Sequence, residues 1–247
     1  MHRVLRFVPF VFLLVAEAAF AQGISLRWGG CVADGGVRNR TFACNTNTGE
    51  FTLMTSFVLP AALPGVSRVN GVIDVAAADV SLPEWWNYRF CRSGSIDERA
   101  AAAAPNLCTD FMGFCAGDGD LTAILPGVPG PNGERLEFAR VRCHPFGTPL
   151  GADLSGGIEY AGPVLTINFT RTLGSPSCAG CGTGVCLLLT QLQIVSSGGT
   201  VTLTAPVIPP DGNVATWQGV GLSPGGVCQA ATPTRRRLWG EVKALYR

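Results

Sequence analysis

The 247-residue sequence almost lacks lysine and histidine: Lys243 is the one lysine, and the histidines are His2 and His144. Each scarcity excludes a chemistry. A phosphate-cradling G-x-x-x-x-G-K loop is ruled out because Lys243 follows Val242. An H-E-x-x-H zinc site needs two histidines on one helix face, and no such pair exists. A Ser-His-Asp triad would have to use His144, and there is no G-x-S-x-G elbow to present its serine. Charge is also sparse, at 14% of residues with a net of +1. That balance argues against nucleic acid or an anionic membrane as partner. No stretch approaches the roughly 20 apolar residues of a spanning helix.

The N-terminus carries an export pattern. Met1, His2, Arg3 and Arg6 make a basic start, Phe7 to Val15 is almost wholly apolar, and Ala19-Phe20-Ala21 has the small-x-small cleavage form. This reads as a signal peptide over 1–21, leaving Gln22 first. The mature chain keeps 16 basic and 16 acidic residues. Its length suits one large β domain or two small ones.

Ten cysteines stand at Cys31, Cys44, Cys91, Cys108, Cys115, Cys143, Cys178, Cys181, Cys186 and Cys228. An even number behind an export signal predicts a disulfide framework rather than metal ligation. Cys178-x2-Cys181 has redox spacing, but glycines and then a strand pattern follow it. The helix N-terminus that would activate a thiol is therefore missing. Cys228 needs a partner, and one of Cys178, Cys181 and Cys186 is the natural candidate.

Glycine (32) and proline (17) punctuate many short segments of period-two alternation, the pattern of a two-sheet fold. Ile24, Leu26 and Trp28 alternate with polar neighbours. Phe51, Leu53, Phe57 and Leu59 share one face, as do Leu165, Ile167 and Phe169, and then Val201, Leu203 and Ala205. Cys186 to Val195 is more continuously apolar and fits a central strand, with Ser197-Gly198-Gly199 as a hairpin turn. From Arg135 to Cys143 the apolar parity changes, which predicts a β-bulge near Ala139. About ten strands result from such counting.

Helical signals are few. Ser95-Ile96-Asp97-Glu98 forms a capping box before an alanine run that Pro105 stops. Cys91 and Cys108 flank this predicted helix, and a bridge between them would staple it. Ser81-x-x-Glu84 predicts a short turn carrying Trp85 and Trp86. After Cys228 the chain passes through a linker. Leu238, Trp239, Val242, Leu245 and Tyr246 then fall on one stripe of a predicted amphipathic helix. Together with Arg235, Arg236 and Arg237 they make 229–247 a candidate docking tail for an export or surface component.

Candidates for binding or catalysis remain. Trp85, Trp86 and Tyr88 would suit a sugar-stacking platform, and Glu137 with Glu159 could form a glycosidase carboxylate pair. Asp118 and Asp120, with Asp110, suggest clustered oxygens for calcium, although no EF-hand follows. Asn39 and Asn168 head glycosylation sequons. No motif calls for a cofactor.

Several segments taken together carry a resemblance. They are Leu26-Arg27-Trp28 before Cys31, Asn39 to Cys44, Leu82-Pro83-Glu84-Trp85-Trp86, Cys178 to Cys186, and Thr216-Trp217-Gln218-Gly219. The ending Trp239-Gly240-Glu241-Val242-Lys243-Ala244-Leu245-Tyr246-Arg247 completes the set. The chain resembles uncharacterised exported bacterial multi-cysteine β proteins with a W-G-x-V-K-x-L-Y-R tail. The likeness implies no activity and carries over no catalytic residue. Cys115 and Cys143 are additional to its cysteine pattern, which implies that they pair with each other. Cys31–Cys44 and Cys91–Cys108 are the other expected bridges.

The expected protein is all-β, an antiparallel two-sheet β-sandwich of jelly-roll or Ig-like type. It is stapled by disulfides over 22–228, with short helical excursions and a helical tail. Its expected function is that of a non-enzymatic secreted or cell-surface structural or adhesive module, with the periplasm as the other exported destination. The alternative is a carbohydrate-binding module or glycosidase using Trp85, Trp86 and a carboxylate pair. Exposure or burial of those tryptophans separates the two.

Overall fold

The computed structural model describes residues 22–77, 82–88, 90–99, 108–109, 125–130, 133–141, 151–204 and 212–219, with the backbone alone at 97–99, 125–130 and 133–141. The signal segment 1–21, Cys115, Asp118, Asp120, Cys143, His144, Cys228 and the tail 229–247 lie outside the described residues.

Twelve strands run through the described residues. They are β1 (Gly23–Trp28), β2 (Asn39–Arg40), β3 (Glu50–Val58), β4 (Leu63–Ala77), β5 (Ile96–Arg99) and β6 (Leu125–Gly130). They continue with β7 (Gly133–Val141), β8 (Ala152–Leu154), β9 (Glu159–Asn168), β10 (Val185–Ser196), β11 (Gly199–Leu203) and β12 (Val214–Trp217). A 3-10 turn, Glu84–Trp86, follows β4. The described residues hold no α-helix.

The first sheet has the order β1-β3-β9-β5. The second runs β2-β12-β10-β4-β7-β6, with β11 paired to β10 and β8 to β4. Pairing is antiparallel throughout except between β12 and β2. The hydrophobic core draws on both sheets: Ile24, Leu26, Leu53, Phe57, Leu165 and Ile167 from the first, and Val69, Ile73, Leu187, Leu189, Leu192 and Ile194 from the second. The alternation read in β1, β3 and β9 therefore marks true inward faces.

Alternation alone does not describe the first sheet. Ser25, Arg27, Met54, Ser56 and Thr166 point away from the core by strand parity, yet all five are buried. Both faces of this sheet are thus shielded from water. On the second face Met54, Ala161 and Val164 join Cys31 and Cys108 in a separate apolar cluster.

The bulge predicted at Ala139 is not there. β7 pairs with β4 in unbroken register from Arg68↔Val141 to Val75↔Glu134. The register shift against β7 lies on the other side, between Pro126 and Val128 of β6. A further shift separates Leu189 and Gln191 in β10. Thr190 is the extra residue, its hydroxyl donating to the Val72 carbonyl at 3.1 Å. The bulge moves the inward parity from Leu187 and Leu189 to Leu192 and Ile194, so the strand's apolar run is two alternating patterns joined out of phase. In β9 the shift falls at Gly162-Pro163 opposite Thr55. Pro163 cannot donate to a ladder and sits where the ladder is interrupted. A Cβ on Gly162 would come within 2.4 Å of the Thr55 hydroxyl.

The capping-box helix is also overturned at its start. Ile96–Arg99 is strand β5, paired with β9 from Ile96↔Ile167 to Arg99↔Val164. Ser95 does not cap; its hydroxyl donates to the Arg92 carbonyl at 2.6 Å, and its own carbonyl accepts from Asn168 N at 3.0 Å. A single short helix is marginal alone, whereas the free edge of β9 offers these residues a ready ladder. The short turn at Trp85-Trp86 and the hairpin joining β10 to β11, with Ser196↔Gly199 as its closing pair, follow the sequence reading.

Three disulfides join pairs of described residues, Cys31–Cys108, Cys44–Cys181 and Cys91–Cys178, with sequence separations of 77, 137 and 87. The expected Cys31–Cys44 and Cys91–Cys108 bridges do not form. Sequence-near cysteines here leave on different loops, and the antiparallel fold brings distant loops together instead. Cys186 is also disulfide-bonded, to a cysteine outside the described residues. Bridges of this number and span belong to a protein that matures in an oxidising, non-cytoplasmic compartment. No helix among the described residues is long and apolar enough to cross a membrane.

Candidate functional site

The residues with the most chemical potential gather at one end of the core. Pro83 leads into the 3-10 turn, Trp86 N bonds the Pro83 carbonyl, and Trp85 N bonds the carbonyl of Ala179. Trp85, Trp86 and Tyr88 are buried, at 0%, 0% and 2% exposure. They present no stacking face to solvent, which corrects their reading as a sugar platform. The physical reason is Trp217 at the end of β12. Its ring lies 4.7 Å from Trp85 and 5.4 Å from Trp86, and stacks on Phe42 at 3.9 Å. Trp28, Phe51 and Phe169 extend the cluster. Rings so placed in edge and stacked contact bury more apolar area than any exposed arrangement could. The indole N–H groups of Trp85 and Trp217 donate inside it, to Thr172 Oγ1 at 3.0 Å and to the Cys181 carbonyl at 2.6 Å.

Arg92 enters this cluster as a buried cation. It is fully shielded, and its guanidinium lies 3.5 Å from the Trp85 ring centre. It donates to the carbonyls of Trp85 (3.1 Å), Thr170 (3.2 Å) and Asn168. Burial pushes its pKa down to about 10, while the adjacent Tyr88 pulls it upward. Three carbonyls and a π face replace the water that a buried charge loses. Sequence reasoning missed this residue, since an arginine beside a cysteine carries no signal of burial.

Cys178 and Cys181 are not a redox pair in this state. Each is bonded to a different loop, Cys178 to Cys91 and Cys181 to Cys44. Their own loop is held tightly: Gly180 sits at φ +99°, where a Cβ would meet Pro83 at 2.3 Å. The C-x-x-C segment is therefore a fork that gathers two loops at the aromatic end.

The proposed carboxylate pair is divided between the sheets, with Glu137 in β7 and Glu159 in β9. Glu159 is already engaged. It accepts from Val32 N (3.1 Å), Ala33 N (2.9 Å) and the Ser56 hydroxyl (2.5 Å). Asp34 similarly accepts from Cys31 N and Cys108 N, at 3.3 and 3.1 Å. The two acids clamp the loop after β1 against the first sheet. The Cys31, Asp34 and Cys108 ligand atoms lie within 4.8 Å of one another. The two sulfurs are bonded together, however, and the carboxylate is occupied by backbone amides, so these three offer no free donor set. Of the sequons, Asn39 is exposed and accepts from Thr216 Oγ1, whereas Asn168 closes a turn with Thr170.

No protein-family model matches the chain, and no curated protein matches it in sequence. Among the solved structures that match, the cohesin module from a Clostridium perfringens family 33 glycoside hydrolase aligns over 80% of this chain and 93% of its own length. The identity is 8% and the TM-score 0.33.

Proposed function

We propose that the chain is a non-enzymatic β-sandwich module, exported behind a cleaved signal peptide over 1–21, with a structural or adhesive role outside the cell or at its surface. One observation carries this reading. Among the described residues, those best suited to chemistry are occupied in holding the fold: Trp85, Trp86 and Tyr88 in the core, Glu159 on backbone amides, and Cys178 and Cys181 in long-range bridges. A catalytic carboxylate needs an oxygen free to meet the substrate, and both oxygens of Glu159 are engaged while it clamps the loop after β1.

The test is direct. The oxidised mature protein, beginning at Gln22, is assayed on a panel of chromogenic glycosides and on a glycan array. No turnover is expected. Turnover that disappears in Glu159→Gln would overturn the proposal and restore the glycosidase reading.

Residues 229–247 are proposed as a docking tail. The support is the change from strand to helix periodicity and the Arg235-Arg236-Arg237 cluster beside Trp239 and Tyr246. Truncation after Gln229 should leave the melting temperature unchanged and alter the protein's distribution. A truncated form that is destabilised but correctly localised would show that the tail packs on the fold instead.

A further inference from the structure

The C-x-x-C fork joins two disulfides that share one short loop. Cys178 and Cys181 are buried, at 2% and 5% exposure, whereas their partners Cys91 and Cys44 are partly exposed. Any incoming thiol therefore meets Cys91 or Cys44 first, and the sulfur it expels is one of the buried pair. Cys91 is one of these two entry points. The turn that precedes it presents Phe90 at 74% exposure, and the cationic Arg171 side chain lies against the Cys91 carbonyl at 2.8 Å. Cys44 instead has the Gln218 amide against its sulfur at 3.2 Å.

We infer that the fork is a thiol relay: a dithiol reductant acting at Cys91 converts the two native bridges into one Cys178–Cys181 bridge and frees both loops together. The electron count closes. A reductant thiolate attacks Cys91 Sγ, the Cys91–Cys178 bond breaks, and its electron pair leaves as the Cys178 thiolate. That thiolate attacks Cys181 Sγ three residues away, the Cys44–Cys181 bond breaks, and Cys44 departs as a thiolate and takes up a proton. The reductant's second thiol resolves the mixed disulfide at Cys91. One dithiol is oxidised, two native bridges are lost, one new bridge forms, and two thiols appear. Exchange by thiolate attack needs only access and a suitable leaving sulfur, and the fork supplies the second step intramolecularly.

The hub itself stays in place through the exchange. Trp85 N on the Ala179 carbonyl, Trp217 Nε1 on the Cys181 carbonyl and Pro83 against Gly180 involve no sulfur. What is released is the Cys44 loop and the Phe90-Cys91 part of its turn, while Arg92 stays anchored on its carbonyls and the Trp85 ring. A single redox event would then loosen two remote segments while the aromatic end remains packed.

The experiment uses the full oxidised protein and dithiothreitol. The reagent is raised stepwise from below one equivalent until Cys44 or Cys91 is first released. The samples are then acid-quenched, alkylated with N-ethylmaleimide and mapped by mass spectrometry. The relay predicts Cys44 and Cys91 alkylated in the same molecules at a one-to-one ratio, with a bridged Cys178–Cys181 peptide. Release of either native pair by itself, Cys91 with Cys178 or Cys44 with Cys181, would overturn it. A Cys178→Ser variant adds a second readout, because it removes the relay sulfur. If it folds, the rate of Cys44 release should fall at least tenfold; an unchanged rate overturns the relay. The wild-type map decides the matter if it does not fold.

Discussion

Replacing Trp217 by alanine tests whether the aromatic end holds the two sheets together. The ring is fully buried and touches Trp28, Phe42, Trp85, Trp86 and Phe169. An aromatic side chain of this kind buries about 150–250 Å². At roughly 25 cal/mol per Å² that amounts to about 4–6 kcal/mol, close to the 3–5 kcal/mol usual for large-to-alanine changes in cores. Domains are typically stable by only about 5–15 kcal/mol, so Trp217→Ala should remove about a quarter or more of the total. With a urea m-value of about 2–3 kcal/mol/M, the midpoint should fall by about 1.3–3 M when disulfides are kept intact. Trp217→Phe keeps much of the stacking but loses the indole N–H bond to Cys181, and should cost about 1.5–3 kcal/mol. Phe90→Ala is the internal control. That ring is 74% exposed and should cost under about 0.5 kcal/mol. If Phe90→Ala and Trp217→Ala shift the midpoint equally, the cluster is not the core that the geometry describes.

The other expectations concern the clamp and the bridges. Glu159→Gln replaces one accepting oxygen by a donor facing a backbone N–H. It should destabilise by about 1–3 kcal/mol and speed amide exchange at Val32 and Ala33 first; uniform exchange across β1 and β3 would argue against a local clamp. Removing the Cys31–Cys108 bridge as a double serine variant should cost about 2–4 kcal/mol, read from the urea midpoint. EDTA should leave the wild type unaffected, and EDTA-induced unfolding without reductant would point to metal. Peptide mapping should find Cys186 bonded to Cys228 and Cys115 bonded to Cys143; a Cys186–Cys115 or Cys186–Cys143 peptide would refute both.

Legibility in the sequence followed the range of the interactions. β1, β3 and β9 could be read because Ile24, Leu26, Trp28, Leu165 and Ile167 state a period-two face locally. The hairpin between β10 and β11 was written in three residues. What failed depended on partners far along the chain. Ser95 to Glu98 spells a capping box, but the decision belonged to β9, about 70 residues later, whose edge outcompetes a short helix. The phase change near Ala139 was real as a pattern, yet the bulge beside β7 belongs to β6, and the one in β10 was hidden in an unbroken apolar run. Disulfide partners could not be deduced because proximity in this topology owes nothing to proximity in sequence. For the site, Trp85 and Trp86 were legible as aromatic, but whether they face sugar or core was decided by Trp217, Phe42 and Phe169. Arg92 gave no sign at all.

The linkage of Cys44 to Cys181 has a mechanical consequence. A protein tethered at a surface and pulled from both ends lengthens only through chain that force can straighten. The bridge takes the chain between these cysteines, a sequence separation of 137, out of the line of tension, hiding about 450–490 Å of contour length. The load passes from the strand near Gln22 through Cys31 and the short loop to Cys44, then directly across to Cys181. Under tension β3 to β9 would stay coiled behind that shortcut, and the chain before Cys44 and after Cys181 would carry the extension.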